Sequence, residues 1–362
     1  MNFIDLQEQY KRYKKEIDAE IAGVLDSARF IMGPVLTEFE DALAEHSGAK
    51  YAIGCASGTD AILLALMALG VRPGDEVIVP DFTFFATAEV VSFLRAKPIF
   101  VDVLEDTYNI NPALVEEKIT DRTRGIIAVS LFGQCADFDE LHEIAEKHNL
   151  FLLEDAAQSY GALYKGKKSC SLTEMATTSF FPAKPLGAYG DGGAVFTSNN
   201  ELADKVRMLL NHGQNERYRH RYIGINGRLD AIQAAVLKVK LKHFDTELEL
   251  RQQVADKYSE ALKGFVVIPT IKQGNVSVWA QYTVRSDKRE KVIEHLKSKG
   301  IPTAIHYPIP LHQQEAFSYL EAKDSDFPVA NRISQEVFSL PMHPFMTDMD
   351  IQTVIDAIKE AL

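Results

Sequence analysis

Cysteine is scarce in this chain: Cys55, Cys135 and Cys170 are the only three in 362 residues. Without paired spacings they exclude a disulfide framework and a cysteine-built zinc site, and they read as buried thiols in a reducing compartment. No metal is expected. Basic charge is also short, with 39 Lys and Arg against 51 Asp and Glu and a formal net charge of −12. That balance excludes general nucleic-acid binding, because phosphate backbones demand a basic surface. No apolar run is long enough to cross a bilayer. The opening Met1-Asn2-Phe3-Ile4-Asp5 lacks the basic start and apolar stretch of a secretory signal. A cytoplasmic protein with neither nucleic acid nor membrane as partner is expected. What is present is 46% hydrophobic and 25% charged residues, the balance of a globular enzyme with core enough for two domains.

Along the chain, Leu6, Tyr10, Tyr13, Ile17, Ile21 and Val24 recur at helical spacing, so the chain is predicted to open with an amphipathic helix. Ser57-Gly58-Thr59-Asp60 precedes an almost wholly apolar helix, Ala61 to Leu69, of the kind that belongs in an interior. Strands are predicted over Glu76 to Val79, Pro98 to Val103, Gly125 to Leu131, Leu150 to Leu153, Ala176 to Phe181 and Gly193 to Thr197. Helical patterns such as Phe138 to Lys147 separate most of them. This alternation implies an α/β fold with a mostly parallel sheet covered on both faces. At about Lys238 the character shifts to a long charged helix through Tyr258. A strand over Ser277 to Arg285 and helices over Asp287 to Lys299 and Asp348 to Ala361 follow. The division expected is a large domain over 1–237 and a smaller α+β domain over 238–362.

Two motifs each follow a buried strand: Glu154-Asp155-Ala156-Ala157-Gln158 and Ser179-Phe180-Phe181-Pro182-Ala183-Lys184. Carboxyl ends of parallel strands are where α/β sheets build active sites. A lysine in a dry pocket gives up its proton readily and can attack an aldehyde. A carboxylate nearby can keep a heteroaromatic nitrogen protonated, so the pair points to pyridoxal phosphate, with Lys184 as catalytic residue and Asp155 as ring partner. Either residue alone would favour a structural ion pair or a helix cap. Gly58 and Thr59, at the start of the buried helix, suit a phosphate, although an ordinary N-cap has the same composition. Ser179 offers a second hydroxyl. Phe84 is the aromatic face chosen for the ring, and Gln158 is either a cofactor contact or a cap. The run Arg217 to Arg221 is the densest basic patch, a ligand approach or a solvated loop.

With these residues assembled, the chain resembles the DegT/DnrJ/EryC1/StrS family of sugar aminotransferases. The resemblance is carried by SGTDAI from Ser57, EDAAQSYGA from Glu154, TSFFPAKPLGAYGDGGA from Thr178 and GINGRLDAIQAA from Gly224. It implies the pyridoxal-phosphate-dependent transferase fold of type I, with Lys184 joined to the cofactor as a Schiff base. It also implies Asp155 on the ring nitrogen, Gln158 near the ring oxygen, Phe84 on the ring face, and Gly58, Thr59 and Ser179 on the phosphate. Asn226 would reach that phosphate from the other subunit of an obligate homodimer with shared sites. Some members carry histidine in place of the lysine and are dehydratases; Lys184 points to transamination. Glutamate is the implied donor and a nucleotide-linked keto sugar the acceptor.

Segments AQYTVRSDKRE from Ala280 and AIHYPIPLHQQ from Ala304 are most similar to members that aminate C-3 of a UDP-linked 3-oxo-glucuronate for lipopolysaccharide O-antigen. On that similarity His306 and Tyr307 contact the sugar nucleotide, across the dimer, and Arg228 supplies charge. Two other readings stay open: amination of a 4-keto or deoxy 3-keto nucleotide sugar, UDP- or dTDP-linked, and a cofactor-binding regulator without turnover.

Overall fold

The computed structural model describes residues Met1–Leu362. Seven strands form one central sheet: β1 (Tyr51–Cys55), β2 (Glu76–Pro80), β3 (Lys97–Val101), β4 (Thr123–Val129), β5 (Phe151–Asp155), β6 (Met175–Ser179) and β7 (Gly193–Thr197). Their spatial order is β1-β7-β6-β5-β4-β2-β3, and every neighbour pair is parallel except those involving β7. The apolar runs are unbroken because the sheet is buried on both faces. Val77, Val79, Ile127, Val129 and Leu153 turn to one core, and Ile78, Ile126, Ala128 and Leu152 to another. The alternation is that of a pleated strand.

The antiparallel β7 decides where the site forms. Its first residue, Gly193, pairs with Cys55 at the end of β1 and with Ser179 at the end of β6. The carboxyl ends of two strands therefore meet there. A side chain at Gly193 would come within 2.4 Å of the Ser57 carbonyl oxygen, so this approach requires glycine. Strand ends differ by a residue or two from the sequence reading. Strand β5 runs through Asp155 itself, and β6 stops at Ser179, after which Phe180 turns inward, fully buried, ahead of Pro182.

Ten helices surround the sheet: α1 (Leu6–Ser27), α2 (Pro34–Ser47), α3 (Gly58–Leu69), α4 (Ala86–Phe93), α5 (Phe138–His148), α6 (Asn200–Leu209), α7 (Ala231–Leu262), α8 (Arg289–Ser298), α9 (Pro328–Glu336) and α10 (Asp348–Ala361). The apolar stripe of α1 lies on α7, where Ile17 packs against Val236 and Val239. A small antiparallel pair, β8 (Tyr282–Arg285) with β9 (Val337–Leu340), packs with α8 and α10 to form the second core.

The expected boundary between residues 237 and 238 falls inside α7. Ala234, Leu237 and Phe244 belong to the large-domain core, whereas Val254, Ala255, Tyr258 and Leu262 belong to the small one. The charge that rises at Lys238 falls on both sides of one continuous helix about 48 Å long, with Lys240, Glu247 and Arg251 buried and Lys242 and Glu249 exposed. Nor is the segment after it wholly small-domain, since Leu311, Phe317, Phe327, Ala330 and Ile333 pack back into the large core. Strand β8 begins only at Tyr282, later than the predicted Ser277.

Candidate active site

Helix α3 starts against the sheet edge that Gly193 closes. Its cap is Ser57, whose Oγ accepts the Asp60 N–H at 3.0 Å. The N–H groups of Gly58 and Thr59 lie in the first turn, where no carbonyl one turn earlier exists to receive them. A Cβ at Gly58 would meet Ser179 Cβ at 2.6 Å and Ser179 Oγ at 3.0 Å. Ser179 Oγ accepts from the Phe181 N–H at 3.2 Å, so its proton remains free to donate. The result is a notch lined by two N–H groups and the hydroxyls of Thr59 and Ser179 at the positive end of a helix dipole. It is a fit for a phosphate.

Asp155 is the last residue of β5 and is 4% exposed. Ala157 N–H donates to its Oδ1 at 3.1 Å, and Thr87 Oγ1 donates to its Oδ2 at 3.0 Å. Burial pushes the carboxyl above its usual pKa, against the pull of those two bonds and of Lys184. Each oxygen keeps a lone pair for a further donor. Lys184 sits on the turn after β6 and retains some exposure. The protein packed around its amine nevertheless lowers the pKa from 10.5 to about 8, although the Asp155 charge opposes the change. Asp155 and Lys184 sense each other without forming an ion pair, which disposes of the structural ion-pair reading.

Tyr307 closes the other side. Its hydroxyl accepts from Gln158 Nε2 at 3.1 Å, while Gln158 Oε1 accepts from the Phe132 N–H at 2.7 Å. The ring of Tyr307 is 6.0 Å from that of Phe84, which is 56% exposed, and 6.2 Å from that of Phe82. Phe84 therefore offers an open aromatic face. Burial, helped by the Asp155 charge and opposed by the Gln158 bond, raises the Tyr307 phenol well above its ordinary pKa, so it stays neutral. His306 lies close enough to Lys184 to feel its charge; burial first, and that charge second, lower its pKa to about 4. Its Nδ1 is 3.0 Å from Ser339 Oγ. Within one chain, then, the Gln158 bond brings Tyr307, and the Lys184 charge reaches His306, beside the Asp155 and Lys184 group, a proximity that no sequence spacing reveals.

Two residues do not join this group. Asn226 is exposed and bridges only through its backbone to Asn211. Arg228 Nη1 donates to Asn211 Oδ1 at 2.6 Å, its Nε is buried without a partner, and its backbone pairs with Cys55. The basic run forms an exposed hairpin, Gln214–Glu216 with Arg219–His220. Sequence reasoning missed Thr87, whose signal was faint: it follows Thr83 by one helical turn. It also missed Glu154, fully buried with its pKa raised to about 7 by burial and held by Ser169 Oγ at 2.6 Å and Cys170 N–H at 2.8 Å.

The wider likenesses agree with this geometry. A family model for the DegT/DnrJ/EryC1/StrS aminotransferase family matches residues 11–359. The chain is 53% identical over 359 residues to the UDP-2-acetamido-2-deoxy-3-oxo-D-glucuronate aminotransferase of Pseudomonas aeruginosa, with 99% of each covered. Among solved structures, DesV of S. venezuelae in complex with a ketimine intermediate has a TM-score of 0.97 at 41% identity, over 99% of this chain and 97% of that one. NtdA of Bacillus subtilis with bound cofactor PMP has a TM-score of 0.90 at 29% identity, over 99% and 83%.

Two measurements test the site. In cofactor-free protein, acylation of Lys184 by an amine-specific reagent, followed by peptide mass spectrometry, is expected to rise with a midpoint near pH 8, the pKa that burial gives it. An exposed lysine titrates near ~10.4, and a midpoint there for Lys184 would contradict the buried amine. Gly58→Ala is expected to push Ser179 aside at a cost of about 1–3 kcal/mol and to weaken pyridoxal 5′-phosphate binding about tenfold or more; unchanged affinity would remove Gly58 from the phosphate notch.

Proposed function

The chain belongs to the DegT/DnrJ/EryC1/StrS aminotransferase family, and from that premise we propose that it moves an amino group from L-glutamate to C-3 of UDP-2-acetamido-2-deoxy-3-oxo-D-glucuronate. It is an enzyme, and its cofactor is pyridoxal 5′-phosphate. The observation that carries the choice of sugar is the similarity, end to end, to the Pseudomonas enzyme of that activity. The amino sugar formed would serve surface polysaccharide, O-antigen in particular. Three free, buried thiols suit a reducing cytoplasm, and no helix is long and apolar enough to cross a membrane.

When bound, pyridoxal phosphate supplies an aldehyde that takes up and returns an amino group, and a protonated ring that draws electrons from the reacting carbon. The residues of the chain do the remainder. The α3 N-terminus with Thr59 and Ser179 would hold the phosphate, Asp155 would hold the proton on the ring nitrogen, and Phe84 would support the ring face. With a pKa of about 8, Lys184 is already neutral in roughly one molecule in ten at pH 7. Its Nζ takes the α-proton of glutamate in the first half of the cycle and delivers a proton to C-3 of the sugar in the second. Tyr307, fixed by Gln158, and the neutral His306 line the side on which the sugar must enter.

We extend the reading to a homodimer in which Asn226 of the partner subunit completes the phosphate site. Its support is the exposed Asn226 and the exposed apolar side chains of Phe30, Ile31 and Met32 and of Ile223, the last 90% exposed.

With glutamate as donor, a panel of UDP- and dTDP-linked 3-keto and 4-keto sugars is expected to show ping-pong kinetics and highest kcat/KM for the 3-oxo uronate. A preference for a neutral or 4-keto sugar would replace the assigned substrate, and cofactor colour that glutamate fails to bleach would favour a regulator. Mixing Lys184→Ala with Asn226→Ala protein should restore up to about a quarter of wild-type activity through hybrids with one intact site. No recovery after verified subunit exchange would contradict the shared site.

A further inference from the structure

Asp155 is held by a hydroxyl chain that the reaction scheme above does not use. Thr87, in the first turn of α4, is 1% exposed and donates to Asp155 Oδ2 at 3.0 Å. Behind it, Thr83 Oγ1 lies 3.4 Å from Thr87 Oγ1, and Thr83 is 4% exposed. An ionised carboxylate can only accept, so the single hydroxyl proton of Thr87 must go to Asp155. The proton in the contact behind must then come from Thr83. With Asp155 ionised the order Thr83 to Thr87 to Asp155 has one direction, and only a proton on Oδ2 would reverse it.

We propose that Thr87 is a positioning residue, whose hydroxyl, backed by Thr83, keeps Asp155 ionised and fixed in orientation as the partner of the cofactor's ring nitrogen. The inference rests on the reading of Asp155 given above. Burial favours the neutral carboxyl, and two hydrogen bonds and the Lys184 charge oppose it. Without Thr87 only the Ala157 N–H would remain as a donor from the protein. Thr83 also stands between Phe82 and Phe84, so the same chain ties the aromatic platform to the carboxylate. Ring face and ring nitrogen are then served by one rigid unit, which is the pre-organisation an active site needs.

A role in packing alone makes a different forecast. Thr87→Val removes the hydroxyl at nearly constant volume, and Thr87→Ser keeps it while losing a methyl group. In the full-length protein, equilibrium dialysis against pyridoxal 5′-phosphate is expected to show about tenfold weaker binding for the valine variant and a change within about twofold for serine. The pH titration of the bound cofactor's visible absorbance supplies a second readout. Loss of the donor makes Asp155 more basic and draws the ring proton toward it. The ring then withdraws fewer electrons, and the nitrogen linking it to Lys184 keeps its proton to higher pH. The midpoint should rise in Thr87→Val and stay in place in Thr87→Ser. In an Asp155→Asn background the Thr87→Val effect should vanish, as residues acting through one another require. If valine does not fold, Thr87→Ala gives the same contrast with serine.

Wild-type affinity and midpoint in Thr87→Val, or equal losses in valine and serine, would overturn the proposal. Sensitivity of Asp155→Asn alongside indifference of Thr87→Val would sink this inference alone. Indifference of Asp155→Asn would bring down the ring-nitrogen reading as well.

Discussion

A single buried amine gives up its proton more readily than an exposed one, while a carboxylate pulls weakly the other way. That balance at Lys184 is what the rest of the structure serves. Were Asp155 bonded directly to Lys184, the pair would settle as ammonium and carboxylate, and the amine would be a poor nucleophile. Instead the Asp155 oxygens are occupied by the Ala157 N–H and the Thr87 hydroxyl, and the attraction is felt only at a distance. Desolvation wins, and the amine falls from 10.5 to about 8. Every larger feature contributes to that outcome: two strands that end side by side, a helix that begins against them, and an antiparallel strand whose glycine lets the backbones touch.

Three distant stretches of chain supply the walls, and each is fastened by a buried polar contact. The turn carrying Phe84 follows Asp81, a fully buried carboxylate that accepts from the His312 N–H at 2.8 Å and lies 2.6 Å from His312 Nδ1. His312 also stacks on Phe327, with ring centroids 4.4 Å apart. This joint pins the segment after Tyr307 to the end of β2, next to the aromatic platform. Gln158 then ties Tyr307 to the loop at Phe132. Satisfied buried networks of this sort fix one geometry, because any other arrangement strands a polar group without a partner.

Much of this was legible in the order of residues, and what was legible was local. Apolar runs over Leu150 to Leu153 and Ala176 to Phe181 placed the strands to within a residue or two, because a sheet buried on both faces needs nothing else. Ser57 announced its helix because a cap acts within three residues. The expected domain boundary rests on the same kind of reading: charge at Lys238 is a local signal, whereas the passage of α7 from one core to another depends on partners far along the chain. Thr87 and Asp155 are 68 positions apart, and Asp81 and His312 are 231 apart. No periodicity spans such intervals. The family resemblance supplied roles for Gln158 and Tyr307 but not the bond between them.

Covalent capture tests the Lys184 linkage most directly. Purified protein saturated with pyridoxal 5′-phosphate is reduced with borohydride, digested and mapped by mass spectrometry. The account requires the reduced pyridoxyl adduct on the peptide containing Lys184, in one copy per chain, and its absence when Lys184 is replaced. An adduct on another side chain, or none in saturated protein, would contradict it.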